Sequence, residues 1–298
     1  MTSPTSHTHE SDARLAIVAG YGRLPIDVAV AAREMGIDPF IIAIRGEADQ
    51  DWSDFDHAYL PIANAVKIVK TMRQYKVNRI VLAGGVSNRP KITDVRITFK
   101  LLFSLPKLLR VIHAGGDDAL LRTTINLFEI LGVKVLGAQE IAPNLLAQEG
   151  VLGKIGISDQ NKIDIKTASN AALELGIADK GQAAVSINGN VVAIEGVDGT
   201  DAMLTALADK IKAEKTTAPQ TELAGSQGVL VKLCKPQQDK RADLPTIGPT
   251  SVLNAHKAGL AGIAVEAGRS FILDKENVIK EADKYGMFIA GITREASQ

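Results

Sequence analysis

Arg14–Gly36 reads RLAIVAGYGRLPIDVAVAAREMG, and the fold turns on this stretch. RLAIVAG is a short, almost continuous apolar run and reads as a strand. After a glycine turn, LPIDVAVAAREMG places apolar residues at helical spacing and stops at Gly36, the residue type that most readily takes the left-handed backbone of a helix end. The pattern then repeats. DPFIIAI is a second strand, PIANAVKIVKTMRQYK carries an apolar stripe, and RIVLAGG is a third apolar run. LRVIHAGGDDALLRTTINLFEILG gives strand, turn and helix before VKVLGA. Short apolar strands alternating with helices describe parallel strands buried on both faces. Residues 13–140 therefore read as an N-terminal Rossmann-like α/β domain with a parallel sheet.

Prolines, glycines and polar residues punctuate 141–164, which reads as the junction. From 165 to 298 the chain is again α/β. IKTASNAALELGIADKG is helical, and QAAVSINGNVVAIEG alternates around Asn188-Gly189, a strong hairpin signal. TDAMLTALADKIK, SVLNAHKAG and KENVIKEADKYG are helical, while AGIAVEA, FILD and MFIAGI are strands. A hairpin among helix–strand alternation predicts a mixed sheet in this C-terminal domain. Residues 1–12, MTSPTSHTHESD, read as a disordered polar tail without an apolar signal core.

A chain of 298 residues exceeds the usual span of one core, which also favours two domains. Lysine plus arginine balances aspartate plus glutamate at 34 each, so no bulk positive charge supports nucleic-acid binding. The single cysteine, Cys234, excludes an intrachain disulfide and a thiolate zinc cluster. It reads as a small buried hydrophobe. No segment approaches about 20 consecutive apolar residues. The expectation is a cytoplasmic chain with at most peripheral membrane contact.

Several loops offer binding groups. In AGYGRLP, Gly20 and Gly22 would let main-chain amides approach a phosphate at the helix start formed by Leu24 and Pro25. Tyr21 lies between those glycines, and Arg23 would add a fork for a diphosphate. A plain tight turn is the other reading, and the third glycine of a dinucleotide fingerprint is missing. AGGVSNRP ends another strand, and loops at carboxyl strand ends converge in open α/β sheets, so Gly84, Gly85 and Arg89 join the candidates. HAGGDDALLR contributes His113, Gly116, Asp117 and Asp118, the acids as helix caps or as Mg²⁺ holders through water. EGVDGTDAML contributes Glu195, Asp198, Thr200 and Asp201, with Asp198 and Asp201 as metal candidates.

The stretch 231–250, VKLCKPQQDKRADLPTIGPT, is the densest. Asp239 and Asp243 lie four apart and would share a face if the run formed a helical turn; Pro236 and Pro245 make a loop equally compatible. Two carboxylates on a divalent cation, with Lys235, Lys240 and Arg241 around the phosphates, suit phosphoryl transfer. Thr246 and Gly248 follow at the next turn, and VEAGRS adds Glu266, Gly268 and Arg269 beyond another strand.

Taken in order, IVAGYGRLP, LAGGVSNRP, HAGGDDALLR, IEGVDGTDAM, VKLCKPQQDKRADLPTIGP and GIAVEAGRSFILD resemble the cytoplasmic UDP-2,3-diacylglucosamine pyrophosphatases of lipid A synthesis, the LpxI type. The resemblance implies two α/β domains with the substrate cleft between them. It also implies Mg²⁺-dependent cleavage of UDP-2,3-diacylglucosamine to UMP and 2,3-diacylglucosamine 1-phosphate, with attack at the sugar-side phosphate. It places a catalytic aspartate in QQDKRAD, here Asp239 or Asp243, with Asp239 favoured. A homodimer is compatible with it. Acyl chains need an apolar groove, for which ITFKLLFSLPKLL, residues 97–109, is a candidate wall or else a buried helix. Two rivals stand: another α/β enzyme acting on a sugar nucleotide or redox cofactor, and a non-catalytic nucleotide-sugar or lipid-binding module.

Overall fold

A computed structural model describes residues 13–87, 117–217 and 227–294, with backbone alone at 117–120 and 214–217. The chain forms two compact units, one of residues 1–143 with Arg241–Asp243, the other of 144–240 with 244–298.

The first unit follows the strand–helix alternation of its sequence. β1 (Arg14–Ala19) leads to α1 (Leu24–Glu34), then β2 (Phe40–Ile44), β3 (His57–Leu60), α2 (Ala65–Gln74), β4 (Val77–Ala83), α3 (Asp117–Ile130), β5 (Lys134–Leu136) and the single turn α4 (Ala138–Ile141). The strands pair in the order β3-β2-β1-β4-β5, all parallel. That order puts the switch point between β1 and β4, where a doubly wound sheet opens its binding crevice. Pro25 sits in the first turn of α1, where its missing N–H costs nothing, and Asn64 caps α2 by accepting from the Lys67 amide at 3.0 Å. One core joins Ala16, Phe40, Ile42, Ile80 and Val135 of the sheet to Ile68 and Met72 of α2 and Ile125 of α3. Ala242 packs on this same core, and Arg241 pairs with Glu129 of α3 at 2.5 Å. Those contacts draw three residues of a later loop into the first unit.

The second unit holds β6 (Gly150–Leu152), α5 (Asp159–Ile177), β7 (Ala183–Ile187), β8 (Asn190–Ile194), α6 (Gly199–Thr217), β9 (Val229–Lys232), β10 (Thr246–Ile247), α7 (Pro249–Lys257), β11 (Gly262–Glu266), β12 (Phe271–Ile272), α8 (Lys275–Lys284) and β13 (Phe288–Ile292). Its main sheet runs β6-β13-β11-β9-β7-β8. β9, β11 and β13 are mutually parallel, whereas β6, β7 and β8 join antiparallel. The stretch 141–164 thus contains an edge strand and the start of a helix. The mixed sheet is as expected, and so is the hairpin. Asn188 and Gly189 take φ of +53° and +77°, the left-handed pair a type I′ turn requires.

Strand alternation assigns each residue to a layer. Leu230, Ile263, Val265 and Ile289 face α6, α7 and α8 through Leu204, Val252 and Val278. Val229, Val231, Ala264 and Ala290 face α5 through Ile165, Ala168 and Ala172. Among the described residues no helix is long and apolar enough to cross a membrane.

Asp164 of α5 pins the hairpin to this layer. It is fully buried, and its Oδ1 accepts from Ser186 Oγ and from the Gly189 amide, each at 2.7 Å. Asp164→Ala leaves both donors without that acceptor, and the expected loss of stability is about 2–4 kcal/mol by urea unfolding. Asp159→Ala, on an exposed turn of the same helix, should change it by less than about 1 kcal/mol.

Candidate active site

In the first unit the loops after β1 and β4 do converge. The Gly20 amide donates to Ala83 O at 2.9 Å, and Tyr21 and Gly85 exchange main-chain hydrogen bonds at 2.8 and 3.0 Å. Contact is so close that a Cβ on Gly20 would stand 2.0 Å from Gly85 O, and one on Gly84 2.6 Å from Tyr21 O. Two acids from the loop after β2 complete the join: Asp49 accepts from the Gly22 amide at 2.9 Å and Glu47, buried, from the Ser87 amide at 2.8 Å.

The amides of Gly20, Tyr21 and Gly22 therefore donate within the protein, and the phosphate cradle expected there is occupied by Ala83, Gly85 and Asp49. The acids after β2, where a dinucleotide fold presents a ribose-binding carboxylate, hold main-chain amides instead. This weakens the redox-cofactor rival. Arg23 Nε is shared between the two oxygens of Asp27 at 3.2 Å each. Tyr21 keeps an exposed ring beside this junction, while Leu24 and Pro25 serve to start α1. Asp117 and Asp118 open α3, their side chains lying beyond the description. Arg89, Gly116, His113, residues 1–12 and the run 97–109 all lie outside the described residues.

In the second unit the loops after β9, β11 and β13 leave the carboxyl ends of three neighbouring parallel strands. Between Lys235 and Pro245 the chain makes turns and no helix, so the helical face for Asp239 and Asp243 does not form. Pro236 and Pro245 frame the run, and the two acids fall in different units. Asp239 is partly exposed and Asp243 exposed, with Lys240 exposed between them. Two expected phosphate ligands have acidic partners: Lys235 Nζ meets Asp179 at 2.8 Å, and Arg241 meets Glu129. Glu266 is buried and its carboxylate accepts the Cys234 amide at 3.0 Å, with Arg294 at 2.9 Å and Arg269 at 3.5 Å. Its carboxylate is thus held by partners within the protein. Arg269 keeps a half-exposed guanidinium. Gly268 serves a left-handed turn at φ +67°, its amide donating to Ala147 O. Thr246 Oγ1 donates to Leu244 O, and Gly248 precedes α7.

Residues 14–145 match the LpxI N-terminal domain and 148–290 the LpxI C-terminal domain. The chain belongs to the LpxI family. A relative from Caulobacter vibrioides, UDP-2,3-diacylglucosamine pyrophosphatase LpxI, is 37% identical over 279 residues, covering 94% of this chain and 97% of that protein. A solved GalE-like L-threonine dehydrogenase from Cupriavidus necator aligns over 95% of this chain and 97% of its own at 10% identity, but its TM-score of 0.28 carries no argument.

The remaining candidate acids of this LpxI-family chain lie just before α6 and in its first turn. Glu195 accepts from the Gln182 amide and Thr200 Oγ1, Asp201 Oδ1 accepts from Asn254, and Asp198 is exposed. Among the described residues no three histidine, cysteine or acidic side chains gather around a metal position. Mg²⁺ asks for less, since one or two carboxylates suffice when substrate phosphates and water fill its shell. A partly exposed carboxylate at 239, beside Lys240, has the donor chemistry for that.

Sequence reasoning missed Glu47, Asp49 and Arg294. Each acts on a residue 27 to 60 positions away, and no local motif announces such a partner.

Two expectations follow. Gly20→Ala should destabilise the protein by about 1–3 kcal/mol because backbone oxygen meets the new methyl, whereas Gly156→Ala, with nothing within 4 Å, should be within about 0.5 kcal/mol of wild type in thermal unfolding. Burial raises the Cys234 thiol from 9.0 to about 11, reinforced by Glu266 and opposed by Arg269, Arg294 and Lys240. At pH 8 the native thiol should react with a disulfide reagent at least about 100-fold more slowly than in urea.

Proposed function

We propose that this chain hydrolyses the diphosphate of UDP-2,3-diacylglucosamine to UMP and 2,3-diacylglucosamine 1-phosphate. The observation that carries the reading is 37% identity across 94% of the chain to an LpxI of that name, together with family matches to both halves. The loop Lys235–Asp243 is the proposed reacting segment. Asp239 would hold Mg²⁺ with the substrate's phosphate oxygens, and the bound metal would neutralise phosphate charge and polarise water. Water oxygen bonds to the sugar-side phosphorus, the bridging P–O bond breaks, and UMP leaves with the bridging oxygen. Asp239 orients the incoming water and draws its proton. Lys240, exposed beside Asp239, balances the charge that develops on the phosphoryl oxygens, and Arg269, whose side chain stays partly exposed while it pairs with Glu266, adds to it. Peripheral membrane contact belongs to the same reading, because the substrate carries two acyl chains, and a homodimer is compatible with it.

The test is UMP release from dispersed UDP-2,3-diacylglucosamine with Mg²⁺ and with EDTA. Product should form with Mg²⁺ and stop with EDTA. Asp239→Asn should lower kcat about 100- to 1,000-fold with unchanged circular dichroism, and Asp243→Asn should stay within about threefold of wild type. Folded wild-type protein that releases no UMP overturns the reading; a fully active Asp239→Asn removes that residue from it.

A further inference from the structure

Resting on the assignment of Asp239 above, we propose that Arg294 and Glu266 form a clamp that positions the Asp239 loop for catalysis. β13, β11 and β9 lie side by side, and each sends one member of the clamp from its carboxyl end. The Cys234 amide, where the chain leaves the sheet after β9, donates to Glu266 Oε2 at 3.0 Å. The Cys234 carbonyl accepts from Arg294 Nη2 at 2.6 Å. The ring closes because the same guanidinium grips Glu266 through Nη2 at 3.2 Å and Nε at 2.9 Å. Both polar groups of one residue are thus fixed by a single ion pair whose carboxylate is almost wholly buried.

The constraint passes along the loop. The Lys235 amide donates to Gln238 Oε1, and the Gln238 amide donates back to Lys235 O, both at 3.1 Å. Gln237 Nε2 donates to Gly176 O at 2.7 Å, tying the same turn to the end of α5. This chain of hydrogen bonds runs from the clamp to the residue before Asp239. Arg294 spends its fork on a carbonyl and a carboxylate, so it acts through the loop as a positioning residue. Lysine would keep the charge next to Glu266 without bridging both oxygen acceptors.

The test uses the full chain, Arg294→Lys and Glu266→Gln, with three readouts: kcat and KM for UMP release, circular dichroism, and reaction of Cys234 with a disulfide reagent. As the sole cysteine, buried at the clamp, Cys234 reports its loosening in Arg294→Lys, which keeps the positive charge beside the thiol, while in Glu266→Gln the lost anion speeds labelling as well. For Arg294→Lys the expected result is kcat down about 10- to 100-fold, KM within about twofold, native circular dichroism, and Cys234 labelling at least about tenfold faster. Glu266→Gln should move the same readouts in the same directions, which keeps the test decisive if one variant does not fold. Wild-type kcat with faster labelling overturns the positioning role. A loss confined to KM with unchanged labelling overturns it too, and makes Arg294 a substrate contact. Should Asp239→Asn prove fully active while Arg294→Lys still exposes Cys234, it is the assignment of Asp239 that has failed, and catalytic positioning falls with it.

Discussion

Taking a carboxylate out of water costs several kcal/mol unless donors meet it. Among the described residues the buried acids are Glu47, Asp164, Glu195 and Glu266, and each meets a main-chain amide: Ser87, Gly189, Gln182 and Cys234. Each bond fixes a place where the chain leaves or re-enters a sheet. Loops at carboxyl strand ends have no ladder of their own to hold them, and an ionised acceptor makes a stronger bond than a neutral one. The arrangement supplies rigidity where sheet pairing ends, which is also where open α/β folds do their chemistry.

The same bonds explain why the glycine loop after β1 is a poor dinucleotide site despite its appearance. A phosphate cradle needs amides with nothing else to satisfy them. Here Gly20 and Gly85 are small because the two loops touch, and their amides donate to Ala83 and Tyr21 across the join. In the second unit, by contrast, the stretch 236–240 leaves Asp239 and Lys240 accessible to solvent on a backbone that is braced from behind.

Fold class was legible because β1, β2 and β4 each carry a short apolar run, Leu15–Ala19, Phe40–Ile44 and Ile80–Ala83, between helical patterns. β3 was not legible: His57 and Tyr59 face outward on an edge, so the strand has no apolar run to betray it. β6 was hidden because it is three residues long and sits at the sheet edge, paired with β13. The Asn188-Gly189 turn was readable since its signal is local. In the site, the segment holding Asp239 stood out by composition, but the partners of Lys235, Arg241 and Glu266 could not. Asp179, Glu129 and Arg294 are distant in sequence, and only the fold supplies them.

The two faces of the second sheet are built differently. Three helices cover one chiefly with leucine, isoleucine and valine, while among the described residues α5 is the helix that covers the other, where Ala168 and Ala172 meet Ala184, Ala264 and Ala290. A bulky layer accepts volume-conserving exchanges among its aliphatic residues. The alanine positions of the other layer, set among Ile165, Val229, Val231 and Phe288, have no such exchange available, since a larger residue there lifts the helix and a glycine loosens it. Over evolutionary time the two faces should drift at unequal rates, the thin one holding nearly still while the thick one reshuffles.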